Sequence, residues 1–187
     1  MKRLLTCMAF GLTAFASQAV TPLWMRDVQI SPDGSTVAFC YKGDIYTVDA
    51  KGGAAKQLTT QDSYECTPIW SPDGKQIAFA SDRDGNFDIY IMSANGGSAK
   101  KLTKLSVSEM PSTFTPDGKH VVFSASIQDP AQSALFPTSA MPELYQVPVE
   151  GGRTKQIIAT PAEAVCYVKD GKSFLYQDRK GYEDEWR

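Results

Sequence analysis

The chain contains the stretches Ser31-Pro32-Asp33-Gly34, Ser71-Pro72-Asp73-Gly74 and Thr115-Pro116-Asp117-Gly118, which follow one another at intervals of 40 and 44 residues. A partial copy, Lys169-Asp170-Gly171, follows after one longer interval. Proline presets φ at the second position of a tight turn, aspartate hydrogen-bonds the local backbone, and glycine supplies a positive φ. A turn that recurs about every 40 residues indicates an array of repeats, each of which buries its faces by stacking on its neighbours.

The same series of strand patterns follows each of these turns. An apolar run comes first, a second run opens with an acid, a glycine pair follows, and a short polar strand ends near Leu58, Leu102 or Ile157. The residues before each turn supply the remaining strand. The apolar runs are Val37-Ala38-Phe39, Ile77-Ala78-Phe79, Val121-Val122-Phe123 and Phe174-Leu175-Tyr176. Four short antiparallel strands per repeat predict an all-β fold, a β-propeller of four-stranded antiparallel blades. A sandwich or barrel would not explain the matched internal register.

The repeat boundaries predict the domain organisation. The propeller region spans residues 20–187, with blades at about 24–59, 60–104 and 105–159 and the start of a fourth at 160–187. Closed propellers have about four to eight blades. We therefore expect an incomplete propeller, three blades plus half of a fourth, from a truncated gene product or a sequence fragment. Open strand edges favour pairing with another chain, so an oligomer is one expected state.

The first nineteen residues differ in composition from the rest. Lys2-Arg3 is a short basic region, residues 4–16 are apolar, and Ser17-Gln18-Ala19 supplies the small residues that signal peptidase needs. The apolar run is shorter than the about 20 residues of a membrane-spanning helix. We predict a signal peptide at 1–19, cleaved near Ala19, and a secreted or periplasmic protein without a membrane span.

Charge and cysteine content narrow the function classes. The 168 residues after the predicted signal carry 17 basic and 21 acidic side chains, a net charge of −4, which offers no basic footprint for nucleic acid. Cys40, Cys66 and Cys166 are predicted as core residues, because Cys40 aligns with small residues in the other repeats and Cys166 aligns with Ile69. One disulfide among them is the alternative. A lipoprotein anchored at Cys7 is disfavoured by the short apolar stretch before it.

Acidic residues form two candidate sites. Asp82-Arg83-Asp84-Gly85-Asn86-Phe87-Asp88 carries oxygen ligands at every second position, as in a calcium loop, but its glycine is fourth and its twelfth position is Ser93. A hairpin turn is the favoured interpretation. Asp44, Asp88 and Glu143 share one repeat position. Paired carboxylates can do acid–base work, yet repeat equivalence favours a structural role at the entrance of each strand.

His120 and an insertion complete the candidates. His120 is the one histidine of the sequence, and it opens a predicted strand. The sequence has no second histidine and no Gly-x-Ser-x-Gly elbow, so a catalytic triad or a histidine metal site would be incomplete. A surface position on the strand is the favoured interpretation. Residues 127–142 form an insertion with three prolines and several apolar residues in the third repeat. A long loop of this composition is expected either to form part of a ligand-facing rim or to pack against a neighbouring domain.

These motifs resemble the amino-terminal propeller of tricorn-type serine proteases, in the form found in secreted bacterial homologues. Ala80-Ser81-Asp82-Arg83-Asp84-Gly85-Asn86 would fit any TolB-like propeller. More specific are Leu135-Phe136-Pro137, Pro142-Glu143-Leu144-Tyr145, Val147-Pro148-Val149-Glu150-Gly151-Gly152 and Asp178-Arg179-Lys180-Gly181-Tyr182-Glu183-Asp184-Glu185-Trp186-Arg187. The repeats also begin directly after the predicted signal, at about Trp24, whereas the TolB protein has a separate domain first.

The resemblance implies a non-catalytic propeller that guides peptide substrates or scaffolds a protease, ahead of a PDZ domain and a catalytic domain. The family's catalytic residues lie beyond position 187, so we expect no catalytic, cofactor-binding or metal-binding residue here and no activity of the chain alone. The expected partners are peptide or protein substrates and the downstream domains. The alternatives are a stand-alone TolB-like periplasmic adaptor that binds a protein, and the propeller of a prolyl-oligopeptidase-type enzyme.

Overall fold

The structure, a computed structural model, describes residues 24–127, 142–158, 160–168 and 170–178. The predicted signal peptide, most of the insertion in the third repeat and most of the carboxy-terminal motif lie outside these residues.

The described residues form four antiparallel sheets in chain order. The first sheet is β1 (Arg26–Ile30), β2 (Thr36–Tyr41), β3 (Asp44–Asp49) and β4 (Lys56–Gln57); the second is β5 (Glu65–Trp70), β6 (Gln76–Ser81), β7 (Asp88–Ser93) and β8 (Lys100–Lys101); the third is β9 (Glu109–Phe114), β10 (His120–Ala125), β11 (Glu143–Pro148) and β12 (Lys155–Ile158); the fourth is β13 (Ala162–Tyr167) and β14 (Phe174–Asp178). Neighbours in each sheet are consecutive in sequence. The all-β, four-stranded blade prediction is confirmed.

The Pro-Asp-Gly turns join the first and second strands of the first three sheets. In the first turn, Asp33 accepts hydrogen bonds from the Ser31 hydroxyl (2.6 Å) and the Ser35 N–H (3.0 Å), and Gly34 adopts a φ of +73°. The Gly34 N–H bonds the Ser31 carbonyl at 2.9 Å. The two further copies of the motif repeat these contacts. The recurring turn therefore fixes the same hairpin in successive sheets.

Successive sheets pack face to face through apolar clusters. One cluster joins the first and second sheets around Phe79, a second joins the second and third around Phe123, and a third joins the third and fourth around Leu144. The rings of Phe79 and Tyr90 stack at 6.0 Å, and equivalent pairs occur in the first and third sheets. Because each cluster draws residues from two sheets, the core lies between blades.

Polar contacts between sheets recur at the same positions. Lys56 Nζ donates to the Asn95 carbonyl and Lys100 Nζ donates to the Glu150 carbonyl, both at 2.6 Å. The N–H groups that open β5, β9 and β13 bond the carbonyls of Gly43, Phe87 and Pro142, at 2.7–2.8 Å. The second and third sheets are thus tied to their predecessors near both ends of the strands, and the fourth sheet is tied to the third by the Ala162 bond.

The structure corrects two sequence-based expectations. Cys166 is exposed, whereas Cys40 and Cys66 are buried as predicted, and all three thiols are free. Ile69, the residue equivalent to Cys166, is covered by the third sheet, but no described sheet covers the same face of β13. The short polar strands β4 and β8 also end one residue before Leu58 and Leu102, whose side chains turn into the core.

Candidate functional site along the axial strands

The first strands of the four sheets lie at the centre of the arrangement. β1 contacts β5, β5 contacts β9, and β9 contacts β13. We call these four strands the axial strands, because the sheets fan outwards from them. Strand surfaces around a propeller axis are where such folds form a central channel, so these strands are the main candidate site.

Each axial strand carries a bulge at the same place. One extra residue is inserted opposite the aromatic residue of the second strand, which is Phe39, Phe79, Phe123 or Tyr176. Three residues at the bulges have a positive φ without being glycine: Asp27 (+51°), Thr67 (+48°) and Ala164 (+48°). Left-handed backbone at non-glycine residues costs about 1–3 kcal/mol and is concentrated at functional sites.

The bulges of the first two sheets are joined by a carboxylate. Asp27 Oδ2 accepts the Thr67 N–H at 3.0 Å and the Cys40 thiol at 3.5 Å. Burial, together with this carboxylate, raises the pKa of Cys40, and burial raises the pKa of Cys66 to about 11. Both thiols are therefore protonated at neutral pH, which makes them poor nucleophiles.

A groove of about 560 Å³ lies between the first and second sheets at the end formed by the Pro-Asp-Gly turns. Its walls include Asp33, Asp73, Trp70 and Lys56. The Trp70 indole N–H bonds the Gln29 carbonyl at 3.3 Å. Hydrogen bonds from Ser31 and Ser35 lower the pKa of Asp33 to about 2. The Asp33 and Asp73 carboxylates accept hydrogen bonds within their own turns, so their positions are explained without a bound ligand.

The opposite end carries two buried polar clusters. In the first, Glu65 is fully buried and binds the Ser81 hydroxyl (2.9 Å) and the Arg83 guanidinium (3.1 Å). The Arg83 guanidinium lies 4.3 Å from the centre of the Tyr90 ring, at cation–π distance. Arg83 therefore covers the Tyr90 ring, which belongs to the apolar cluster between the first and second sheets.

The second cluster lies at the junction between the second and third sheets. Lys101 Nζ contacts Asp84 (2.8 Å) and the buried Asp88 (2.6 Å). Glu109 is fully buried and accepts the Thr103 hydroxyl at 2.7 Å. Burial raises the pKa of Glu109 to about 7; the bond from Thr103 opposes this shift and the Asp88 carboxylate adds to it. Glu109 is thus a carboxyl whose charge changes near neutral pH.

The run 82–88 forms the turn between β6 and β7, as the hairpin interpretation predicts. Asp82 accepts the Tyr64 N–H at 2.7 Å, while Asp84 and Asp88 are neutralised by Lys101. Asp84 and Asp88 therefore share one lysine, whereas Asp82 binds a backbone N–H elsewhere. Within the described ranges, no group of three His, Cys, Asp or Glu side chains could hold a metal ion.

The remaining candidates lie apart from one another. Asp44 and Glu143 each bind a glutamine of the outer strand, Gln57 (2.9 Å) and Gln156 (2.7 Å), and Asp88 binds Lys101 at the equivalent position. This pattern supports the structural role at the strand entrance. His120 opens β10, pairs with Pro148 and is partly exposed, as a surface strand position predicts.

Sequence reasoning missed Glu65, Glu109 and the axial bulges. Both glutamates open an axial strand five residues before its aromatic end, Trp70 or Phe114. An acid repeated at the first position of an otherwise apolar strand was the available signal. The bulges had no signal, because Asp27, Thr67 and Ala164 share no residue type.

The described part of the chain contains no helix with the length and apolar character needed to cross a bilayer. Four stacked antiparallel sheets around axial strands define a propeller segment. The chain belongs to the family described as the tricorn protease N-terminal beta propeller domain, whose profile matches residues 22–187.

Individual relatives and solved structures are similar to parts of this chain. The chain is 32% identical over 72 residues to dipeptidyl-peptidase 5 of Porphyromonas gingivalis, a match that covers 33% of this chain and 10% of that protein. The TolB-like structure from Agrobacterium tumefaciens is 25% identical with a TM-score of 0.68, covering 85% of this chain and 57% of the other. The tricorn protease structure is 22% identical with a TM-score of 0.64, covering 80% and 15%. This chain therefore spans only part of each relative's length.

Proposed function

We propose that this chain is the non-catalytic propeller portion of a tricorn-like serine peptidase, and that its axial strands guide peptide substrates towards or away from the protease domain. The observation that carries the proposal is the family match over residues 22–187. A relative named as a dipeptidyl-peptidase supports a peptidase context.

The surface of the axial strands suits an extended peptide. Asp27 and Gln29 are exposed, and Thr67, Ser112 and Thr113 are partly exposed. These are small or polar groups that can exchange hydrogen bonds with a passing backbone. The large apolar side chains exposed on the axial strands, Val28 and Ile30, both belong to β1. Such a surface favours guidance over retention.

Catalysis would belong to other domains of the parent protein. The described hydroxyls that donate to a carboxylate belong to a turn, as Ser31 does with Asp33, or to a buried cluster, as Thr103 does with Glu109. Cys40 and Cys66 are buried thiols with raised pKa values. We expect the purified chain to leave unstructured peptides intact. Turnover that persists after rigorous removal of contaminating proteases would contradict this part of the proposal.

Reading the gene downstream of the Arg187 codon tests the assignment to a peptidase. An open frame that continues through further Pro-Asp-Gly repeats into a PDZ domain and a serine protease domain is the expected result. A frame that leads to a Gly-x-Ser-x-Gly elbow would instead indicate a prolyl-oligopeptidase-type enzyme.

A stand-alone TolB-like adaptor is the second candidate, and the similarity to the Agrobacterium tumefaciens structure favours it. A stop codon after Arg187, together with a soluble and well-folded product that captures one envelope protein, would support the adaptor over the peptidase.

We also propose secretion or a periplasmic location, because residues 1–19 have the composition of a signal peptide. Mass spectrometry of the protein from the native cell should give a chain that begins at Val20. A chain that retains residues 1–19 in the cytoplasmic fraction would contradict this location.

A further inference from the structure

One axial bulge already binds a carboxylate. The Thr67 N–H points out of its own sheet and donates to Asp27 Oδ2 at 3.0 Å, across the junction between the first and second sheets. A backbone N–H bound to a charged oxygen forms a stronger hydrogen bond than one bound to a neutral carbonyl. The bulge conformation, with Thr67 at a φ of +48°, aims this donor away from the ladder of its own sheet.

The bulge of β13 repeats this geometry without the internal carboxylate. Ala164 has the same φ, +48°, and is inserted next to the residue that pairs with Tyr176. In the preceding sheet, the position equivalent to Asp27 is Pro111. Ala164 is exposed, and among the described residues no side chain accepts a hydrogen bond from its N–H.

We propose that the Ala164 N–H, at the junction of the third and fourth sheets, is a binding site for a carboxylate group carried by a peptide. Asp27 at the bulge of β5 is the internal example of the occupant. The proposal depends on the proposed function in one respect, that a peptide supplies the carboxylate. This carboxylate is either the carboxy terminus of the peptide or one of its acidic side chains.

Amide chemical shifts of the ¹⁵N-labelled chain test the proposal. The probes are acetyl-Ala-Ala-Ala with a free carboxylate, acetyl-Ala-Glu-Ala-amide and acetyl-Ala-Ala-Ala-amide. We expect a saturable downfield shift of the Ala164 amide with at least one of the two carboxylate probes, and a response at least tenfold weaker with the third peptide. The stronger of the first two identifies the source. No shift at Ala164, or equal shifts with all three peptides, would overturn the proposal.

Two variants give matched controls. Pro111→Asp copies the arrangement at Asp27, so the Ala164 amide should already be shifted without peptide and should lose its saturable response. Asp27→Ala removes the internal carboxylate, so the Thr67 amide should acquire a response to the same probes. If Pro111→Asp does not fold, the Asp27→Ala variant provides the test. A Thr67 amide whose chemical shift does not change with the carboxylate probes would refute the proposed site.

This experiment is separate from the test of the peptidase assignment. Carboxylate binding at Ala164 would stand even if the gene encoded no protease downstream. Absence of binding would leave the downstream reading frame, and with it the peptidase assignment, unaffected.

Discussion

β1 and β9 are the same strand of the repeat, yet their environments differ. All five residues of β1 are exposed, whereas Glu109, Pro111 and Phe114 of β9 are buried. Ile30 is 60% exposed and its equivalent Phe114 is 3% exposed. β9 lies between two packed sheets, and no described sheet packs on the outer face of β1. Burial of an axial strand is therefore supplied by the neighbouring blade and cannot be predicted from one repeat alone.

The largest expected effect comes from truncating the two equivalent side chains. Phe114→Ala should lower the free energy of unfolding by about 3–5 kcal/mol, because it opens a cavity between the second and third sheets. Ile30→Ala should cost less than about 1 kcal/mol, because its side chain is already in water. Urea denaturation of both variants checks this. Equal losses would show that the outer face of β1 is covered in solution.

Breaking the buried ion pair at the first junction should have the next largest effect. Arg83→Met leaves the Glu65 carboxylate buried without its cation, which costs about 3–5 kcal/mol. Lys75→Met is the control, because the Lys75–Asp73 pair is exposed and contributes less than about 1 kcal/mol. Thermal and urea unfolding measure both changes. A small loss for Arg83→Met would mean that water enters this junction.

The second junction should respond to pH through Glu109. The pKa of Glu109 in the folded chain, about 7, lies above its ordinary value of 4.5, so its stabilising contribution is complete below about pH 4.5 and is lost as pH rises through 7. The loss amounts to at most about 3 kcal/mol. Denaturation at several pH values, compared between the native sequence and Glu109→Gln, should give a difference that changes over this range. Parallel curves would contradict the assignment.

The smallest effect concerns the lysines that reach across sheets. Lys56→Met removes the bond to the Asn95 carbonyl and should cost about 0.5–1 kcal/mol. Lys155 holds the equivalent position in the third sheet, and its ammonium group has no partner among the described residues. Lys155→Met should therefore leave the free energy of unfolding unchanged. Differential scanning calorimetry can resolve the pair. A cost at Lys155 similar to that at Lys56 would indicate that a further sheet is bound there.

The sequence predicted the repeat elements well, because the signal is local. Proline, aspartate and glycine determine the turn by their own backbone preferences, so strands ending at Ile30, Trp70, Phe114 and Tyr167 followed directly. Features that depend on a neighbouring sheet were missed. Cys166 was aligned correctly with Ile69, but its environment depends on a covering sheet. The hydrogen bond from the Thr67 N–H goes to a carboxylate from another repeat, a contact that no single-repeat pattern contains.

Amide hydrogen exchange of the chain tests most directly the central claim, that neighbouring blades supply the stability of each repeat. We predict the slowest exchange in β6, β7 and β10, which lie between packed sheets, and much faster exchange in β1 and β14. Uniform protection across all four sheets, or protection of β1 equal to that of β9, would contradict the claim.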